Sequence, residues 1–251
     1  MSGRFINPVW IFRRFCSSGP SVVSSAKENT FVPRQSFDLP ASFDKKSWFP
    51  MHMAVQLKRM EGKLRTVDLV VEVHDARVAI TGRNPVFAKQ LYAIRPHILV
   101  LNKKDLIDLV KYKQPIEDFY HRQGIEHVIW TNCKDSMSRN AAIKNLQDVI
   151  KDHLQNMQRF NRTVKTEYQI MVVGIPNVGK SSLINTLRFS NLNRGKAVEE
   201  GSRPGVTVRV QNRVRLLDKP PIYVLDTPGI LYPHFDDVDS GMKLGIRITL
   251  I

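Results

Sequence analysis

Residues 167–181, EYQIMVVGIPNVGKS, constrain the fold more than any other stretch of the chain. EYQIMVVG (167–174) has the apolar, β-branched content of a buried strand. It runs into Gly174-Ile-Pro-Asn-Val-Gly179-Lys180-Ser181, a full match to G-x-x-x-x-G-K-[ST], and SSLINTLR (181–188) then reads as helix. Glycines let such a loop turn several backbone N–H groups inward, and the helix N-terminus adds favourable partial charge for an anion. Lys180 is then placed to reach β- and γ-phosphates. The Ser181 hydroxyl suits Mg²⁺, which prefers oxygen ligands. A glycine-rich turn with a surface lysine is the plain alternative, and the flanking strand and helix argue against it.

The rest of the chain alternates in the same way. Helix is expected over 51–67, 86–94, 106–122 and 138–159, and strand over 67–73, 97–102, 126–131 and 221–226. This order predicts an α/β fold, a three-layer P-loop NTPase (Ras-like) domain with a mostly parallel sheet. VTVRVQNRVRLL (206–217) instead alternates, with Val208, Val210 and Val214 on one face and Arg209, Gln211, Arg213 and Arg215 on the other. One-sided patterning of that kind predicts an antiparallel strand near an edge.

Three further motifs fall at predicted strand ends. Asp226-Thr-Pro-Gly229 closes PIYVLD, where an Asp holds Mg²⁺ through a water and a glycine N–H meets the γ-phosphate. Thr207, in SRPGVT, lies between this motif and the phosphate loop, so it suits a switch threonine on Mg²⁺; a strand-opening threonine is the alternative. Asn102-Lys103-Lys104-Asp105 closes HILVLN. The Asp105 carboxylate suits the guanine N1–H and exocyclic amine, a donor pair that adenine lacks, so the motif selects GTP over ATP. Asn102 and Lys103 would brace that loop. Thr131-Asn132-Cys133, at the next strand end, is the natural place for a backbone contact to the base. Lys104, Asn177, Val178 and Ser182 complete the expected GTP-contacting set, and Ser181, Thr207 and Asp226 the Mg²⁺ set.

Charge bears on partners. Lys and Arg number 38 against 23 Asp and Glu, a net +15 with a pI near 10.0, which favours polyanions: RNA, DNA or anionic lipid. A basic solubilising surface is the alternative. No apolar run approaches the ~18–20 residues that span a bilayer. Two cysteines, Cys16 and Cys133, make neither metal spacing nor a disulfide framework, as in a reducing compartment. Residues 1–27 hold Arg4, Arg13, Arg14 and Lys27, no acid and a serine-rich stretch, the profile of a mitochondrial transit peptide. Residues 28–47 read as linker, 48–245 as the GTPase domain and 246–251 as an atypical short C-terminus.

The motif order is rotated. The base-reading motif (102–105) and its partner loop (131–133) precede the phosphate loop (174–181), Thr207 and Asp226–Gly229. Together with WFPMHM (48–53), DARVAITGRNP (75–85) and LDTPGIL (225–231), this order resembles the circularly permuted ribosome-assembly GTPases of the YlqF/RbgA type, their mitochondrial branch in particular. The resemblance covers roughly residues 48–245. It implies GTP hydrolysis coupled to maturation of the large mitochondrial ribosomal subunit through its rRNA, and so to mitochondrial translation. It also implies a monomer in the matrix, peripheral on the inner membrane, with activity stimulated by the ribosome. Ile230 stands where Ras-like enzymes carry a water-orienting glutamine, and the family's substitute matches His52 as catalytic residue. Asn177 matches an asparagine associated with K⁺-assisted hydrolysis. The family has glycine where this chain has Met51, so strain at Met51 is expected if that position takes a positive φ. Family members continue into a helical C-terminal domain, and GMKLGIRITLI (241–251) departs from that continuation, which suggests a truncated or spliced form. Two other readings remain: a truncated GTP- or RNA-binding regulatory form with little hydrolysis, and a P-loop kinase or ATPase, against which Asn102–Asp105 argues.

Overall fold

The computed structural model describes residues 51–87, 95–156, 167–192, 213–230, 241 and 243–244. The expected transit peptide (1–27), linker (28–47) and short terminus (246–251) lie outside them, as do Thr207 and the strand portion 206–212. All the described residues fall in one unit, Phe37–Ile251.

Each long apolar run forms a strand. They are β1 (Leu69–Asp75), β2 (His97–Asn102), β3 (Val128–Trp130), β4 (Tyr168–Val173) and β6 (Ile222–Asp226), with β5 (Arg213–Leu217) before the last. They make one six-stranded sheet in the order β3-β2-β1-β4-β6-β5. Every pairing is parallel except β5 with β6. The arginine-bearing strand is thus antiparallel and at an edge, as its one-sided pattern predicts: Arg213 and Arg215 are exposed while Leu216 is buried.

The helices are α1 (Met51–Lys63), the single turn α2 (Pro85–Phe87), α3 (Leu109–His121), α4 (Ser136–Asn156) and α5 (Lys180–Leu192). The sheet is covered on both faces. On one, Val71, Val73, Val100 and Val172 pack with Ile143, Leu146 and Ile150 of α4 and Leu183, Ile184 and Leu187 of α5. On the other, Val70, Met171 and Leu225 meet Met60 of α1, Phe87 and Ile230. Leu99, Leu101 and Trp130 meet Tyr120 of α3 on that side as well. This is the expected three-layer architecture.

The departures from the sequence reading have local causes. β1 starts at Leu69 rather than 67 because the N–H of Val67 closes a 3-10 turn on Leu64 O at 3.1 Å. It runs on to Asp75 because its polar residues are paired inside the fold. α3 starts at Leu109 rather than 106, since Lys104–Leu106 form a separate 3-10 turn and Asp108 caps the helix by accepting from Lys111 N at 3.3 Å. Only Pro85–Phe87 of the expected helix 86–94 lies among the described residues. Met51 sits in the first turn of α1 and is not among the positive-φ residues, so the expected strain is absent there.

The topology positions the site. The chain builds β1, β2 and β3 outward in one direction, then returns to β4 beside β1 and continues the other way. That reversal between β1 and β4 is a topological switch point, and ligands of open α/β sheets bind in the crevice at such carboxyl ends. Register brings Asp75 beside Asn102 and Val172 beside Asp226.

Candidate nucleotide site

The loop after β4 enters α5 through residues 174–179, with Asn177 at φ 59° and Gly179 at φ 95°. Asparagine tolerates the left-handed region better than most residues. Glycine is required at 179 for a second reason: a Cβ there would lie 2.3 Å from Asn102 Nδ2. Lys180 is buried at the first position of α5, and its Nζ donates to Ile175 O at 2.8 Å, bridging the loop from within. Burial pushes the Lys180 ammonium down to about 8, against the opposing pull of Asp226. A buried cation in a glycine-containing loop at a helix N-terminus suits an anion.

Asn102 ties this loop to the base-reading segment. Its Nδ2 donates to Val178 O at 2.9 Å, and its Oδ1 accepts from Thr131 Oγ1 and Cys133 N, both at 3.2 Å. One side chain thereby fixes three loops. Lys103, left-handed at φ 60°, donates from Nζ to Asn177 O at 2.7 Å, a second bridge. Lys104 N donates to Thr131 O at 3.1 Å. Asp105 follows on the 3-10 turn and is exposed. Asn132 turns away from this network: its Oδ1 accepts from Lys134 N at 3.0 Å and Asp135 N at 3.4 Å, an Asx turn before α4. Thr131 and Cys133 therefore brace Asn102.

On the other side of the loop, Asp226 is fully buried at the tip of β6, and its Oδ2 accepts from Ser181 Oγ at 3.4 Å. A hydroxyl and a carboxylate converging beside a phosphate loop form a donor set that fits Mg²⁺, whose remaining positions phosphate and water fill. Gly229 packs so closely on Pro176 that a Cβ would lie 2.5 Å from its backbone, and Ile230 N donates to Gly174 O at 3.2 Å. The Ile230 side chain is fully buried in the core. Val178 is buried and Ser182 partly exposed. His52 lies in the first turn of α1, and its side chain is outside the described residues.

Two residues of the site went unassigned in the sequence, Asp75 and Arg77. Asp75 ends β1 and forms an ion pair with Lys103 at 3.1 Å. Arg77 donates to Asp75 from Nε at 2.9 Å and Nη2 at 2.6 Å. Burial works to raise the Asp75 carboxyl, yet the Arg77 hydrogen bond and the Lys103 charge hold it below its ordinary value. The readable signal was an acid at the tip of an apolar strand.

A family model described as 50S ribosome-binding GTPase matches residues 169–248. Mitochondrial ribosome-associated GTPase 1 of Xenopus tropicalis is 44% identical over 222 residues, covering 88% of this chain and 69% of that protein. The chain belongs to the mitochondrial ribosome-associated GTPase 1 family. The Bos taurus member is 44% identical over 218 residues, 87% of this chain and 64% of that protein. Ribosome biogenesis GTPase A of Bacillus pumilus is 33% identical over 200 residues, 79% of this chain and 66% of that protein. The chain thus spans about two thirds of the length of these family members. A crystal structure of GNP-bound YlqF from T. maritima aligns over 75% of this chain and 63% of that one, at 28% identity and a TM-score of 0.46.

Proposed function

We propose that this chain binds and hydrolyses GTP in the assembly of the large mitochondrial ribosomal subunit, and through it governs mitochondrial translation. The observation that carries the reading is the Asn102 amide, which joins the base-reading loop, Thr131–Cys133 and the phosphate loop into one rigid unit. That unit fixes the distance between a phosphate-binding lysine and a guanine-reading carboxylate, which is what a guanine nucleotide site must do.

Each residue has a role in this reading. Backbone N–H groups from Gly174 to Ser182, with Asn177 and Val178 among them, surround the phosphates. Lys180 exchanges the Ile175 carbonyl for phosphate oxygens. Asp105 accepts from the guanine edge, and Lys103 and Lys104 hold the loop under the base. Ser181 and Asp226 would hold Mg²⁺, with Thr207 joining them when the γ-phosphate is present. The ion supplies charge neutralisation on the phosphates. Gly229 N–H meets the γ-phosphate. Hydrolysis adds a water oxygen to the γ-phosphorus while the bond to the β-phosphate oxygen breaks, and the departing diphosphate keeps that electron pair.

Buried Ile230 cannot orient the water, so another group must do so. His52 is that group in this reading, and Asn177 helps to hold a K⁺ ion. His52→Ala is expected to lower turnover on ribosomal particles while GTP affinity stays within about twofold. Unchanged turnover sinks the role of His52, and equal rates in KCl and NaCl remove the cation. The protein works in this reading as a monomer in the mitochondrial matrix, peripheral on the inner membrane; among the described residues no helix is long and apolar enough to cross a membrane. Its partner is large-subunit rRNA, to which the net charge of +15 is suited. Competition binding tests the nucleotide: GTP should displace a fluorescent guanine nucleotide at concentrations where ATP does not, and equal displacement would favour an ATPase.

A further inference from the structure

Asp75 lies where β1 and β2 run side by side, in register with Asn102. Every acceptor position of its carboxylate that the structure fills serves one of two cations. Oδ1 accepts from Arg77 N at 3.0 Å and Arg77 Nε at 2.9 Å. Oδ2 accepts from Arg77 Nη2 at 2.6 Å and meets Lys103 Nζ at 3.1 Å. Lys103 Nζ in turn reaches Asn177 O at 2.7 Å. The result is a continuous chain from Arg77 through Asp75 and Lys103 to the phosphate loop.

The chain has two consequences for Asp105. Lys103 is held at φ 60° and ψ 39°, immediately before the 3-10 turn Lys104–Leu106 that carries Asp105. A left-handed lysine is uncommon and persists where both its backbone and its side chain are anchored. The Asp75 anchor therefore sets the direction in which Asp105 leaves the sheet. The turn Ala76–Val78 that carries Arg77 also packs against the turn Lys104–Leu106 that carries Asp105. An arginine released from Asp75 would find in Asp105 an alternative carboxylate on that neighbouring turn, and a bidentate arginine fills the acceptor positions that a base edge needs.

We propose that Asp75 is a positioning residue for guanine discrimination: it anchors Lys103 beneath the base-reading loop and keeps Arg77 off Asp105. The proposal rests on the GTP reading above and deepens it by naming what keeps Asp105 available.

The test compares affinities for GDP and inosine diphosphate. Inosine lacks the exocyclic amine, so the GDP-to-IDP ratio reports the hydrogen bond that Asp105 makes to it. Wild type should prefer GDP by at least about tenfold. Asp75→Asn, close in shape but uncharged, should bring the ratio down about tenfold, toward one. Adding Arg77→Ala to Asp75→Asn should restore part of it, because the competing guanidinium is gone. Arg77→Ala alone should keep the wild-type ratio within about twofold, since Asp75 still holds Lys103. An Asp75→Asn protein that loses GDP and IDP affinity equally would make Asp75 a merely structural residue and overturn the proposal. A collapsed ratio in Arg77→Ala alone would do the same, and this arm decides the matter if Asp75→Asn does not fold. Wild-type protein that binds no GDP would overturn the GTP reading itself, and this proposal with it, before any variant is compared.

Discussion

Lys180 shows how a site can be built against local stability. Its ammonium is buried with one carbonyl partner, and burial lowers it from 10.5 to about 8, partly offset by Asp226. Between those values the unfolded chain binds more protons than the folded one. Stability therefore rises with pH from about 8 to 10.5, and below 8 the contribution stays flat at its least favourable level. Chemical denaturation of nucleotide-free protein across that window should show the rise, and Lys180→Met should lack it. An identical pH profile in the two proteins would contradict a buried, depressed lysine. In the proposed reading a bound phosphate would supply the missing counter-charge, so the destabilised side chain is also the one with most to gain from ligand.

At the scale of elements, β1 carries more than packing. Its residues are all buried, yet Glu72, His74 and Asp75 are among them. Glu72 Oε1 lies 2.6 Å from His74 Nε2, and Glu72 Oε2 lies 3.6 Å from Arg83 Nε. The Arg83 guanidinium also sits over the Tyr120 ring at 5.5 Å, and the Tyr120 hydroxyl donates to Ala79 O. The DARVAITGRNP segment (75–85) is thereby pinned at both ends, at Asp75 by its latch and at Arg83 by Glu72. Glu72→Ala removes the buried partner of the Arg83 guanidinium and of the His74 ring and should cost about 3–5 kcal/mol in urea unfolding. A loss under about 1 kcal/mol would show that the cluster is solvated and contributes little.

The strands were legible because apolar runs bounded by turn residues read directly as buried parallel strands. Asn102–Asp105 and Gly174–Ser181 were legible because each motif sits at such a strand end. Asp75 and Arg77 were not, because their meaning depends on β1 pairing with β2, a contact that no local pattern encodes. The bonds from Thr131 Oγ1 and Cys133 N to Asn102 were not legible for the same reason: they cross the gap between two strands. Boundaries slipped where 3-10 turns intervened, at Leu64–Thr66 and Lys104–Leu106.

For the whole molecule, rotation of the motif order leaves the sheet order intact. β4 and its phosphate loop stand at the centre, beside β1, whichever end of the chain comes first. What rotation changes is the place of the motifs along the chain: β6 and Asp226–Gly229 come late in it, after the phosphate loop. Exposed Arg213 and Arg215 flank Tyr223 on the β5–β6 edge, with Arg213 4.0 Å above the ring, and each is paired at 2.6 Å, Arg213 with Glu167 and Arg215 with Asp218. In the proposed reading, it is the net charge of +15 that suits activation by a polyanionic particle. The most direct test is GTP turnover by the purified chain with and without mitochondrial large ribosomal subunits. The account predicts a slow intrinsic rate that rises at least about tenfold when the particles are added. A rate that stays the same at saturating GTP and saturating particles would contradict it.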